Sequence, residues 1–292
     1  VVRSDLPRLR PHVVLEHPMA GMVVEVIEPD GGLDREVLQC APVAATRVAI
    51  ERFHSAAYVE RVIAQSASGK GFLDAGDTPA PRGIYEAACF VVGSVLDAVD
   101  HDALIQLTSE LVKINSVWDP AAGTGEQAVA DFVAAWAVER HFDVTMDLVA
   151  PGRSNVIIPW QAGAGQRTLM FEGHTDVVTP GDVSAWTHDP FGAEIVGGRM
   201  YGRGTNDTKG NLAAMLTAMH ALKKVRVTLS GTIIGGVLCD EEGQMSGILD
   251  FIKKGYADAV TGAVICEPQD GKICTSQKGA IWAGFHIRGH MT

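Results

Sequence analysis

Apolar residues in this chain follow two rhythms. Between residues 126 and 140, Val129, Phe132, Val133 and Trp136 recur at helical spacing, and residues 104–117, 211–222 and 246–254 read as further helices. Short apolar, β-branched runs at residues 144–149, 155–160, 167–171, 225–238 and 263–266 read as strands, with Gly173 marking the end of the third. Residues 273–287 read as one more strand, broken near Gly279. Residues 193–195 and 199–201 flank Gly197-Gly198, a hairpin signal. Earlier in the chain the rhythm is weaker. Residues 22–27 form a short apolar run closed by Pro29-Asp30-Gly31-Gly32. Residues 42–63 read as one helix with Val48, Phe53, Tyr58 and Val62 in the core, residues 66–81 as loop, and residues 84–99 as a helix interrupted at Gly93 and Ser94. Strands separated by helices predict an α/β layer structure around a mainly central sheet.

In such sheets ligands bind where strands give way to helices, and the polar clusters of this sequence fall there. Gly173-His174-Thr175-Asp176 follows the strand at residues 167–171. His174 and Asp176, two apart at a strand end, can point the same way, and an imidazole ligand needs its second nitrogen fixed by such a partner. The bland alternative is a surface loop histidine. Gly202-Arg203-Gly204-Thr205-Asn206-Asp207-Thr208-Lys209-Gly210 lies between the hairpin and a helix, and its small residues imply close backbone approach to something bound. Asp207 is a candidate ligand or merely a cap for the helix that follows. The glycine spacing matches no phosphate-binding fingerprint. Asp240-Glu241-Glu242 closes a long apolar strand, as either a cation site or an acidic surface turn, and Cys266-Glu267-Pro268 closes another. Imidazole and carboxylates converging from several strand ends suit Zn²⁺ or a related divalent ion, and a carboxylate beside a metal-bound water makes a general base.

Composition narrows the field further. The formal charge of −11 and the absence of a basic run argue against nucleic acid, since Arg3, Arg8 and Arg10 are too scattered to bind phosphates. No stretch of about twenty apolar residues predicts a membrane span. Five cysteines at positions 40, 89, 239, 266 and 274 have no disulfide or zinc-knuckle spacing and read as free thiols in a reducing, cytoplasmic compartment. The start at Val1-Val2-Arg3 reads as that of a trimmed chain or a fragment.

Residues 104–292 resemble the two-zinc aminoacylase and carboxypeptidase family, which includes acetylornithine deacetylase, succinyl-diaminopimelate desuccinylase, aminoacylase and glutamate carboxypeptidase. The resemblance rests on Gly173–Val178, on Gly202–Gly210 and on Asp240-Glu241-Glu242 in combination; Thr208 stands where the family usually has Met. It implies a zinc-exopeptidase-like three-layer α/β catalytic domain with a central mixed sheet, over residues 102–279. It implies His174, Asp207, Glu242 and Glu267 as ligands of two Zn²⁺ ions (Co²⁺ or Mn²⁺ being alternatives), with Asp207 bridging them. Asp176 is implied as the partner of His174, and Glu241 as the general base acting on a metal-bridging hydroxide. The implied substrate is a small N-acyl amino acid or short peptide, and the complete family member is expected to form a homodimer. The family's further histidine ligand and its lid histidine lie downstream of the last residue here. Residues 280–292 are therefore expected to be only the opening strand of a truncated lid domain, and His290 is not the lid histidine.

Residues 1–101 resemble the N-terminal part of histone-deacetylase-like amidohydrolases, including acetylpolyamine deacetylases, through Arg52-Phe53-His54-Ser55, Tyr58-Val59, Leu73-Asp74, Asp77-Thr78-Pro79 and Tyr85-Glu86-Ala87-Ala88. That family's zinc ligands come later than these stretches, so the segment is expected to be a partial α/β unit with no complete active site, joined near Asp100–Asp102. His54 is expected to pack on a helix face, and Asp77 to serve a turn. Two alternatives to the aminoacylase reading follow: a deacetylase named for this segment, or a catalytically inactive fusion fragment.

Overall fold

The computed structural model describes residues 12–16, 23–27, 43–52, 54–70, 80–224, 229 and 231–268. Near the start, β1 (His12–Glu16) and β2 (Val23–Ile27) pair antiparallel. The single helix expected over residues 42–63 is instead two: α1 (Arg47–Ile50) and α2 (Ala56–Ser68). The break has a local cause. Thr46 caps α1, accepting from the Ala49 amide, and Ser55 caps a fresh helix, accepting from the Tyr58 amide. Val48, expected in the core, is 69% exposed because a one-turn helix has no buried face here, whereas Val59 and Val62 are buried. Helix α2 also runs to Ser68, into the stretch read as loop. Helix α3 (Ile84–Ala98) is continuous through Gly93. A side chain there would collide with the Val43 carbonyl and the Ala45 amide, so the glycine lets the 43–45 backbone lie against the helix, where Ala45 N–H donates to Cys89 O. Phe53, residues 73–79, the turn at residues 29–32, Cys40, Cys274, His290 and the strand expected at residues 273–287 lie outside the described residues.

Asp100 caps α4 (His101–Lys113) through the Ala103 amide, and α5 (Gln127–Glu139) follows. The remaining strands are β3 (Thr145–Ala150), β4 (Arg153–Gln161), β5 (Thr168–His174), β6 (Glu194–Val196), β7 (Arg199–Tyr201), β8 (Thr232–Leu238) and β9 (Gly262–Ile265). Helices α6 (Lys209–Lys224) and α7 (Ser246–Lys253) lie between them. Strands β6 and β7 form the expected hairpin, with Gly197 and Gly198 both at positive φ as its two-residue turn requires. The main sheet has the order β3-β4-β8-β5-β9. Its β3, β4 and β8 neighbours pair antiparallel, while β8-β5 and β5-β9 are parallel, so the central sheet is mixed as expected.

The sheet lies between two helical layers. On one face Leu107 and Leu111 of α4, Val129 and Val133 of α5, and Leu212, Leu216 and Met219 of α6 pack against Val156, Ile158, Ile233 and Val237. On the other face Phe251 of α7 packs on Ile157, Met170, Ile234 and Leu238. This three-layer α/β arrangement buries both faces, which is why β8 reads as an unbroken apolar run. Leu216 is 1% exposed, so Leu216→Ala is expected to cost about 2–5 kcal/mol, seen as a lower denaturant midpoint at unchanged m-value. Among the described residues no helix is long and apolar enough to cross a membrane.

Candidate metal centre

Parallel pairing of β5 with β8 and β9 sends all three strands toward the same end of the sheet. Their C-terminal ends therefore deliver His174, the segment after Leu238 and Glu267 to one place. His174 is the last residue of β5 rather than a loop residue beyond it; Gly173 does not end the strand. Its ring is fully buried. The Nδ1 side lies 3.0 Å from the Asp176 carbonyl oxygen and 3.4 Å from Asp176 Oδ1, so the main chain of Asp176 as well as its carboxylate orients the ring. Around Nε2 stand Asp207 Oδ1 at 3.1 Å, Glu267 Oε1 at 3.5 Å and Glu241 Oε2 at 3.9 Å.

Asp176 has a second task. Its Oδ1 accepts the Glu241 amide at 3.0 Å and its Oδ2 accepts the Glu242 amide at 2.9 Å. One buried carboxylate thus ties the end of β5 to the turn after β8. Burial works against its charge, but the His174 imidazole and these two amides outweigh it and hold the Asp176 carboxyl below its ordinary value.

Asp207 precedes α6, as a capping residue would, yet its carboxylate faces His174 and accepts no helix N–H among the described residues. The glycines of this loop serve a different purpose from the one expected. Gly204 sits at φ +86°, and a Cβ there would press on Val177 Cγ1 and on the Lys209 side chain. The close approach is to the protein's own interior. Thr208 is buried and donates its hydroxyl to Cys266 O at 2.6 Å, joining this loop to the segment that carries Glu267. Lys209, also fully buried, donates to Ile114 O at 2.6 Å beyond the end of α4. Burial lowers its ammonium to about 7.

Two sets of side chains have the separations of metal ligands: His174 with Asp207 and Glu267, and His174 with Glu241 and Glu242. Ligand atoms about 2.0–2.2 Å from a tetrahedral zinc lie roughly 3.3 Å apart, and the 3.1 and 3.5 Å separations about Nε2 match this. Electrostatics agrees with the geometry. Burial should lower the His174 imidazole, but Asp176, Glu267 and Glu241 raise it to about 10. Burial also raises the carboxyls of Glu241, Glu242 and Glu267, with neighbouring carboxylates adding to it. A pocket that strengthens its one cation and weakens its anions is short of positive charge, which a divalent ion supplies.

Glu172, two residues before His174, lies buried inside the same strand, and its sequence signal is an acid directly after the apolar run Leu169-Met170-Phe171. Burial pushes its carboxyl up to about 7. A raised carboxyl contributes most stability below its ordinary value near 4.5 and loses that contribution as pH rises through 7. Glu172→Gln is therefore expected to stabilise the metal-free chain at pH 8 by about 3 kcal/mol, with no gain at pH 4. Thermal melts across that range measure it.

Cys239 and Cys89 are buried free thiols, as expected, and Cys266 is a partly buried one. Burial pushes the Cys239 thiol up to about 12.

Residues 170–276 match the model of peptidase family M20/M25/M40. The chain is 39% identical over 144 residues to succinyl-diaminopimelate desuccinylase 1 of Ruegeria sp. (strain TM1040), covering 46% of this chain and 37% of that protein. It is 40% identical over 143 residues to succinyl-diaminopimelate desuccinylase of Methylocella silvestris, covering 48% of this chain and 35% of that protein. The chain thus spans little more than a third of the length of these relatives. Among solved structures, the dipeptidase Dug1p of Saccharomyces cerevisiae superposes with a TM-score of 0.53 at 21% identity, over 59% of this chain and 40% of that one. Human carnosine dipeptidase 1 does so with a TM-score of 0.52 at 22% identity, over 59% and 40%. These structures share the fold. The family match lies wholly outside residues 1–101 and lends nothing to the deacetylase resemblance of that segment. It encloses His174, Asp176, Asp207, Glu241, Glu242 and Glu267, so the candidate site lies within the part of the chain that is similar to this peptidase family.

Proposed function

We propose that this chain carries the catalytic half-site of a metal-dependent hydrolase that cleaves the amide bond of a small N-acyl amino acid or short peptide. The observation that carries the reading is the convergence of Asp207, Glu241 and Glu267, from three separate segments, on Nε2 of one buried histidine. His174, Asp207 and Glu267 would hold one Zn²⁺, and Asp207 with Glu242 would hold a second. Bound there, the ions would polarise the amide carbonyl and acidify a water.

The protein's own groups do the rest. Asp176 keeps the His174 ring turned so that Nε2 faces the carboxylates, and it fixes the two amides that set the directions of Glu241 and Glu242. Glu241, whose side chain is 35% exposed, stands where it can reach both a water and a substrate. Burial raises its carboxyl and so makes it a better proton acceptor than an exposed glutamate. It takes a proton from the attacking water and passes it to the departing amine. The names of the two desuccinylases make N-succinyl amino acids the first substrates to try, and those of the two dipeptidases make unmodified dipeptides the second.

Purified chain loaded with Zn²⁺, dialysed and analysed for metal is expected to retain one to two ions per chain. Amine release from N-succinyl or N-acetyl amino acids should stop on chelation and return with the metal. A chain that retains no zinc at micromolar concentration would refute the reading.

A further inference from the structure

We infer that Arg153 and Asn155 of β4 are positioning residues for the acidic turn, setting where Glu241 and Glu242 stand; this rests on the roles proposed above for those two acids. Strand β4 pairs antiparallel with β8, Val156 lying opposite Val237. Beyond Leu238 the chain leaves the sheet and passes over the side chains of Asn155 and Arg153. Asn155 is fully buried. Its Oδ1 accepts the Cys239 amide at 3.1 Å, and its Nδ2 donates to Gly247 O at 2.8 Å. One amide group therefore bridges the two ends of the turn over residues 239–247.

Arg153 holds the next residue along, Asp240. Its Nη1 lies 2.8 Å from Asp240 Oδ1, while Nε and Nη2 both reach Glu126 Oε1, at 2.8 and 2.5 Å. The Trp118 ring covers the guanidinium at 4.4 Å. Asp240 passes the restraint on. It sits at φ +64°, its carbonyl accepts the Met245 amide at 2.7 Å, and its Oδ2 accepts from the Ser246 amide and hydroxyl. Three consecutive acids repel one another, and Arg153 offsets the first of them from below. Asp176 meanwhile holds the next two amides from the other side. The turn is thus gripped from β4 and from β5, and the Glu241 and Glu242 side chains are what that grip aims.

Amide hydrogen exchange on the metal-free 292-residue chain tests this, comparing Asn155→Ala and the double variant Arg153→Met/Glu126→Gln, which removes a carboxylate along with the cation, with the parent. Exchange at Glu241 and Glu242 is expected to quicken roughly tenfold or more in both, while Ile234 and Phe171 in the sheet interior keep their parental rates. Arg153→Lys, which keeps the charge but not the fork, is expected to fall between. Zinc affinity in the two variants should drop about 10–100-fold. Unchanged exchange at Glu241 and Glu242, exchange that quickens equally throughout the sheet, or variants that do not fold would each overturn the proposal. A parent that binds no zinc would sink the functional reading alone, because the exchange rates judge the positioning claim without metal.

Discussion

His174→Ala and Asp207→Ala are each expected to abolish stoichiometric zinc retention. Nε2 of His174 is the only nitrogen in either candidate ligand set, and Asp207 is its nearest carboxylate. Removing the imidazole leaves Asp207, Glu267 and Glu241 converging on a cavity, so the carboxylates lose both the ion and the cation that stood in for it. Isothermal titration with Zn²⁺ measures this; a loss of affinity smaller than about tenfold in both variants would contradict the assignment. The pH dependence has a definite sign. Because His174 in the metal-free chain is raised to about 10, a proton competes with the ion at Nε2. Zinc affinity should therefore climb as pH rises from 6 toward 9, with proton release accompanying binding.

Glu241→Gln is expected to lower kcat by about 10²–10⁴-fold while leaving zinc content within error of the parent. The substitution keeps the shape of the side chain and removes its capacity to take a proton. Glu242→Gln should do the reverse in part, weakening metal retention before chemistry. The adjacent pair therefore separates the two roles that the turn carries. If Glu241→Gln lost metal and Glu242→Gln did not, the roles would have to be exchanged.

The sheet was legible because its strands are apolar runs that each end in a chemically distinctive residue. Burial on both faces forces the first property, and parallel pairing gives the second its meaning. His174, Glu241, Glu242 and Glu267 could be picked out for that reason and Asp207 from the glycine-rich stretch before α6, and the structure brings all five to one end of the sheet. The groups that support them could not. Arg153 meets Glu126 across 27 residues of sequence, and Asn155 meets Gly247 across 92, so no local pattern announces either contact. Lys209 reads as an ordinary polar residue beside a helix start, and only the fold reveals its ammonium under α4. Val48 departs from the helical periodicity of residues 42–63 because the capping residues Thr46 and Ser55 cut the segment into two helices. Glycines around Asp207 imply close approach of something to the backbone, and at Gly204 that neighbour is Val177 and Lys209 of the protein itself.

The common direction of β5, β8 and β9 gives the sheet one pole that carries the candidate metal centre and an opposite pole from which its ligands are absent. Six residue steps separate Thr168 from His174, roughly 20 Å of strand. The link at residues 164–166, between β4 and β5, sits at the opposite pole with its chain partly exposed. A fluorophore, an affinity handle or a whole inserted domain belongs there, where it can report on the molecule without touching its chemistry.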